Sequence, residues 1–473
     1  MGNQMAAAQK RKTILIVIDG LDYAYIAQHS HAFSLFRTLL ENNRLNRLES
    51  VVPGDSIPAW ITIYTGLNPA THGVIESIDY MNFKSKSAGD YSQIKGHCIW
   101  DELSRRGRKV LVFNPFLAYP AWDVNGLMIS GPVFESGRVT TNKADQVDLA
   151  DLPSLGGLVD HPSKKAMNSF LSENLKLTRE QFSAFRRCLS RETYDFAFLG
   201  ILTADRIQHF LWRFADDGKH AAPKSNRLSG AIKETYLLME NMIGEILNEF
   251  GDAYHVIVIS DHGHGPRCRK TFYINQWLIN ERFICEADQK KRAVEYAKHA
   301  VLLGLEKMHA VEAGVGFFKR FAFAHKVKNA GYLFKAKGAC YAPHFDGTNP
   351  YGGIRVFREA FSSDEAYEAE RIRIISGLLK VRDAGKPVII WAKRGEDIYP
   401  GSRTDHYPEI VYCMDPEYGV DRGLFGKRLF GSNAFCKIIS GGHRSSGVIA
   451  GNADGTEHVV SILNVYDYIL GLC

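Results

Sequence analysis

Four short segments of the chain carry oxygen and nitrogen side chains of the kind that bind metal ions or move protons: Val17-Ile18-Asp19-Gly20, Thr203 to His209, Ile259-Ser260-Asp261-His262-Gly263 and Ser440-Gly441-Gly442-His443-Arg444. Asp19 ends an apolar run, and Gly20 behind it lets the backbone turn tightly. Asp205 and His209 are four residues apart, so on a helix they share one face. Asp261 and His262 are adjacent where another apolar run stops, and His443 lies in a glycine-rich loop. Singly, each has a plain explanation: an Asp after a strand caps a helix or forms a turn, an Asp–His pair at this spacing is a surface contact, and Asp261-His262-Gly263 is a turn. Jointly, three carboxylates and three imidazoles at strand exits of one sheet would converge on one edge. That ligand set suits zinc, and manganese with lower preference. Carboxylates gathered without counterions repel, and at least one would hold a proton. Two divalent cations would more than neutralise them and leave a small positive excess that favours a phosphate.

The elements that must position these residues follow a βα alternation. Thr13 to Asp19 reads as a buried strand, and Ser30 to Asn43 as a helix with Phe33, Phe36, Leu39 and Leu40 on one face. Further strands are expected at Lys109 to Phe113, Phe196 to Leu202 and Val256 to Ile259, and helices at Ile99 to Arg106 and Ala231 to Phe250. The pattern implies an α/β fold, a mostly parallel central sheet with helices on both faces, whose functional residues gather at the carboxyl ends of the strands. After Pro266 the pattern changes. Gln289 to Lys328 has helical spacing, Tyr341 to Gly353 is dense in Gly, Pro, Asn and Tyr, and Phe361 to Val381 reads as a charged helix. Val388 to Ile390 and Ile410 to Tyr412 read as strands, and Val459 to Leu470 as the last helix. The expected organisation is a core over 13–265 and 436–473, interrupted at 266–435 by an inserted cap or substrate subdomain, which fits Gln289 to Gly353 better than more of the same sheet.

Length and composition admit this. The 473 residues, 45% hydrophobic and 23% charged, can enclose a large core and exclude a disordered or collagen-like chain. Lys and Arg exceed Asp and Glu by six, which suits a small anionic substrate without requiring nucleic acid. The apolar run Ile14 to Ile18 is far too short to cross a bilayer, and no secretory or myristoylation signal is recognised. The expected location is the cytoplasm. The scattered cysteines show no paired spacing, so they are expected to be reduced packing residues. Oligomeric state is not legible.

A nucleophile stands in Pro53-Gly54-Asp55-Ser56-Ile57-Pro58-Ala59-Trp60, followed by Thr65-Gly66-Leu67-Asn68-Pro69-Ala70-Thr71-His72-Gly73. This stretch resembles the nucleophile region of the alkaline phosphatase superfamily, specifically its type I phosphodiesterase/nucleotide pyrophosphatase branch and the related predicted phosphohydrolase/phosphomutase proteins. The likeness extends through Ile99-Trp100-Asp101-Glu102-Leu103, Asn125-Gly126, Ser130-Gly131 and Tyr273-Ile274-Asn275, and so covers nearly the whole chain. The resemblance implies that Ser56 is the nucleophile and a metal ligand. It places Asp205, His209 and His443 on one divalent ion, and Asp19, Asp261 and His262 with Ser56 on the other. The implied activity is hydrolysis of a small phosphate ester, diester or pyrophosphate through a phosphoseryl intermediate. The alternatives are a phosphomutase with the same ligands and a non-catalytic metal-binding protein of the same fold.

Two departures qualify the likeness. The diesterase branch usually carries Thr as nucleophile, and Ser77 stands where its phosphoryl-binding Asn is found. Sulfatases of the superfamily need Arg where Trp60 stands, which demotes that activity. Secondary candidates for gripping phosphate are Arg444 and Lys270, with Ser77, while His264 reads as a packing or outer histidine. The aromatic stretch Gly314 to Lys337, with Phe317, Phe318, Phe321 and Phe323, reads as a lid over the leaving group or as core of the insert.

Overall fold

The computed structural model describes residues 11–75, 78–79, 84–85, 93–132, 137–155, 162–215, 227–283, 304, 339–343, 350–401, 407–421, 428–433, 436 and 438–473. Its central sheet has eight strands, in the order Leu45–Glu49, Ser446–Gly451, Tyr254–Ile259, Lys12–Ile18, Phe196–Ile201, Val110–Phe113, Gly126–Ser130 and Thr140–Thr141. From Tyr254–Ile259 to Gly126–Ser130 neighbouring strands run parallel. The flanking pairs are antiparallel, so the expected mostly parallel sheet is present with antiparallel margins.

The central strands are near-continuous apolar runs because helices cover both faces of the sheet. Side chains alternate between two cores: Ile14, Ile16 and Ile18 join one cluster, while Leu15 and Val17 join the other. The long helices Met167–Arg191 and Ala231–Phe250 close the first face. Ser56–Thr65, Ile99–Arg105 and the C-terminal Val465–Leu472 close the second. The last strand and helix thus complete the core begun by the first strand.

The helix Ser56–Thr65 is anchored by Trp60, which is fully buried. Its ring packs at 5.6–6.5 Å from those of Tyr64, Phe116 and Phe198. Trp60→Ala should therefore cost about 3–5 kcal/mol in urea unfolding. A loss below about 1 kcal/mol would show that this helix is held by something else.

Three expectations differ from the structure. Instead of one helix from Ser30, the chain forms Tyr23–Gln28, capped by the Asp22 carboxylate, and then Leu35–Glu41. The last helix starts at Val465, because Ser461 first caps a short turn at Ile462–Asn464. Tyr341 to Gly353 contributes strands after all: Cys340–Tyr341 and Tyr351–Val356 join the two expected strands, Ile410–Met414 and Ile389–Arg394, in a four-stranded antiparallel sheet in that spatial order, separate from the central one. Its glycines hide a strand, since a Cβ at Gly352 would lie 2.2 Å from the Tyr412 hydroxyl and only glycine lets that ring cross the backbone. This sheet and the helix Asp364–Leu378 bury a hydrophobic cluster of their own, with Trp277, Ile354, Ile374, Leu378 and Tyr412 among its members.

Apart from Gly304, the stretch Gln289 to Lys328 lies outside the described residues, as do Gly314 to Lys337 with its four phenylalanines and Ser77. No described helix is long and apolar enough to cross a membrane.

Candidate active site

Three adjacent parallel strands deliver the acidic residues. Asp19 follows Lys12–Ile18, Asp261 follows Tyr254–Ile259, and Phe196–Ile201 leads into the helix Thr203–Leu211, which carries Asp205 and His209. All lie at the carboxyl edge, where parallel sheets place their sites. His443 comes from elsewhere: it sits on Gly441–Arg444, which pairs antiparallel with Gly263–Pro266 above that edge. The loops are cross-braced. Ser260 Oγ accepts the Leu21 N–H at 2.7 Å and donates to the His262 carbonyl, the Gly20 N–H donates to Asp261 Oδ1, and Gln208 Nε2 donates to the Gly20 carbonyl at 2.7 Å.

Ser56 is the first residue of its helix, with Asp55 as cap accepting the Ile57 N–H. The hydroxyl therefore sits at the positive end of the helix dipole. Ser56 Oγ donates to Asp19 Oδ1 at 3.1 Å and lies 3.0 Å from His262 Nε2. That nitrogen is 3.4 Å from Asp19 Oδ1 and 3.3 Å from Asp261 Oδ2. Ser56, Asp19, Asp261 and His262 thus form one cluster.

The second cluster centres on Asp205 Oδ1, which lies 3.2 Å from His209 Nε2 and 3.3 Å from His443 Nε2. The two imidazole nitrogens are 3.0 Å apart. The clusters abut, with the His262 and His443 rings stacked at 3.9 Å and 23°. His262 Nδ1 lies 2.9 Å from the Gly263 carbonyl and His209 Nδ1 lies 3.3 Å from the Gly441 carbonyl. A carbonyl only accepts, so each Nδ1 carries the proton and each Nε2 presents a lone pair to its cluster.

Burial holds the Asp19 and Asp261 carboxyls well above the usual carboxylate range, reinforced at Asp19 by the charges of Asp261 and Asp205 and at Asp261 by that of Asp205. Asp205 is buried too, but His209, His264 and His443 overcome that burial and hold it well below. Burial pushes the His443 imidazole down to about 3, which keeps it neutral and able to ligate. Each cluster contains a buried carboxylate oxygen with no hydrogen-bond partner, Asp261 Oδ2 in one and Asp205 Oδ1 in the other. An uncompensated buried carboxylate oxygen is costly. A divalent cation in each cluster would meet that need: the donor atoms of Asp205, His209, His264 and His443 lie within 4.8 Å of one another, as do those of Asp19, Asp205 and His262, and carboxylate and imidazole donors so gathered fit one.

Two of the secondary candidates are held by other partners. The Arg444 guanidinium donates to the main-chain carbonyls of His443, at 2.8 Å, and of Pro266, and so ties the two-stranded ribbon together. Lys270 Nζ is paired with Asp383 Oδ2 at 2.6 Å and lies 3.3 Å from the Tyr418 hydroxyl, which joins its strand to the insertion. Sequence reasoning missed Asp55, whose Oδ2 lies 3.7 Å from His443 Nδ1. It also missed Arg206, a half-buried residue on whose guanidinium the charges of Asp19 and Asp205 act. Both flank recognised residues, and only the folded geometry gives them a role.

A mostly parallel α/β sheet with carboxylates and imidazoles collected at its carboxyl edge, beside a serine at a helix start, is the arrangement that the resemblance of the Ser56 segment implies. Phosphonoacetate hydrolase from Sinorhizobium meliloti 1021, solved with phosphonoacetate, shares the fold at a TM-score of 0.54 and 13% identity, over 98% of this chain and 96% of that one. Murine ectonucleotide pyrophosphatase/phosphodiesterase 5 aligns at a TM-score of 0.43 and 13% identity, over 98% of this chain and 95% of that one. No curated protein matches the sequence significantly. The family profile described as type I phosphodiesterase / nucleotide pyrophosphatase matches residues 13–332. The chain belongs to that family and is by class a phosphoric ester hydrolase.

Proposed function

We propose that the protein is a two-metal phosphohydrolase that cleaves a phosphate ester, diester or pyrophosphate bond through a phosphoseryl intermediate on Ser56. The observation that carries this reading is the placement of Ser56 Oγ within 3.0–3.1 Å of both His262 Nε2 and Asp19 Oδ1, at a helix start beside a cluster with an orphaned carboxylate oxygen. Asp205, His209 and His443 would hold one ion, and Asp19, Asp261, His262 and Ser56 the other, with zinc suited to the donors and manganese the alternative. Divalent ions there supply Lewis-acid stabilisation of a serine alkoxide and of the leaving oxygen.

The chain's own residues do the rest. Asp19 fixes the Ser56 hydroxyl by accepting its hydrogen bond, and the helix dipole favours negative charge on Oγ. Attack forms the Oγ–P bond and breaks the bond from phosphorus to the leaving oxygen. Water then attacks phosphorus and breaks the Oγ–P bond: its oxygen leaves on phosphate, or on a phosphate monoester where the substrate is a diester, and one of its hydrogens restores the Ser56 hydroxyl.

The insertion, 266–435, would shape the pocket for the leaving group. In support, Tyr399 donates its hydroxyl to the Val52 carbonyl at 2.6 Å, and Tyr351, Tyr399 and Tyr407 pack with Ala70 and Ile75 around the segment that presents Ser56. The test is release of phenolate from aryl phosphate monoesters and diesters by the zinc-loaded protein, measured side by side. Hydrolysis of at least one class is expected. Transfer of phosphate between hydroxyls of a phosphorylated substrate, with no phosphate released, would instead indicate a mutase.

A further inference from the structure

The second cluster contains one imidazole more than the six-ligand pattern accounts for. His264 lies on Gly263–Pro266, directly opposite His443 in the antiparallel register, so the two project as cross-strand neighbours. Its side chain is completely buried, and neither ring nitrogen has a hydrogen-bond partner. A packing histidine normally satisfies at least one of its nitrogens, because an unpaired buried donor or acceptor costs about 1–3 kcal/mol. Stacking on Trp212, at 5.8 Å and 22°, supports the ring's face and leaves its nitrogens unexplained.

The ring's direction supplies the explanation. His264 Nε2 lies 3.3 Å from Asp205 Oδ1, matching the 3.2 and 3.3 Å separations of His209 Nε2 and His443 Nε2 from the same oxygen. Four ligands about 2.0–2.1 Å from a common centre in tetrahedral array are separated by about 3.3–3.4 Å. The donor atoms of Asp205, His209, His264 and His443 all fall within 4.8 Å of one another. The backbone is shaped to admit the ring: a Cβ at Gly441 would lie 2.4 Å from His264 Cε1, so any larger residue there would displace the imidazole.

Building on the two-metal reading, we infer that His264 is a fourth protein ligand of the Asp205 ion, making one metal position nitrogen-rich and the other oxygen-rich. The first offers three imidazoles and a carboxylate. The second offers one imidazole, two carboxylates and a serine oxygen. Imidazole donors favour zinc over manganese or magnesium, whereas carboxylate and hydroxyl oxygens suit the harder ions. The Asp205 position therefore takes the first equivalent of zinc and keeps it, while the Ser56 position exchanges more readily and accepts manganese.

The test uses the full-length protein, stripped of metal and reloaded with one equivalent of zinc. Zinc-edge X-ray absorption should show three imidazoles in the wild type and two in His264→Ala, and chelator competition should show the first zinc dissociation constant rising by more than the ~10–100-fold typical of losing an outer partner. His209→Ala serves as the control. Two imidazoles in the wild type, with His209→Ala weakening the first zinc and His264→Ala leaving it unchanged, overturns the fourth ligand but preserves the two-metal reading. Failure of the wild type to bind zinc, with His209→Ala no different, overturns both. The wild-type spectrum decides the coordination even if His264→Ala fails to fold.

Discussion

Ser56→Ala is expected to lower turnover by roughly 10³–10⁶-fold while leaving metal content nearly unchanged. The large effect follows from removing the only atom proposed to bond to phosphorus. Metal retention follows because the Asp205 cluster does not include Ser56, and the other cluster keeps Asp19, Asp261 and His262, whose donor atoms already stand 3.3–3.4 Å apart around His262 Nε2. The helix should survive as well, since its cap is the Asp55 carboxylate and not the serine. Elemental analysis and steady-state rates on one preparation check both halves. A variant that keeps most of its activity would remove the covalent step, and one that loses both ions would make Ser56 a structural ligand first.

Metal removal should act on stability as well as on rate. Stripped of cations, the protein keeps Asp19 and Asp261 buried and crowded, with Asp261 Oδ2 and Asp205 Oδ1 lacking partners. Zinc at 100–1,000 times its dissociation constant should raise the unfolding free energy by about 2.7–4.1 kcal/mol per site. Activity should vanish on chelation and return with zinc. Equal melting temperatures for the stripped and reloaded protein would mean that the clusters do not bind the ion.

The core of the site was legible because its residues end apolar runs. Asp19 and Asp261 are fixed in sequence space by Ile14 to Ile18 and Val256 to Ile259, and the spacing of Asp205 and His209 already defines a helical face. What lay beyond sequence was lateral pairing. His264 stands opposite His443 only because Gly263–Pro266 and Gly441–Arg444 pair across most of the insertion, and no local period reveals that register. The same pairing brings the Pro266 carbonyl to the Arg444 guanidinium, a contact that no local pattern reveals. In the insertion, glycines that suggested loop at Gly352 and Gly353 form a strand under the Tyr412 ring, a close approach that composition does not encode.

The central claim is a phosphoryl group carried by Ser56. Zinc-loaded protein turning over an aryl phosphate should be quenched in acid, digested and mapped by mass spectrometry, in parallel with turnover of a substrate chiral at phosphorus. The account predicts a phosphoryl adduct on the peptide containing Ser56, absent from Ser56→Ala, and net retention of configuration from two successive displacements. Full turnover with no adduct and inversion at phosphorus would contradict it, because water would then attack the substrate directly.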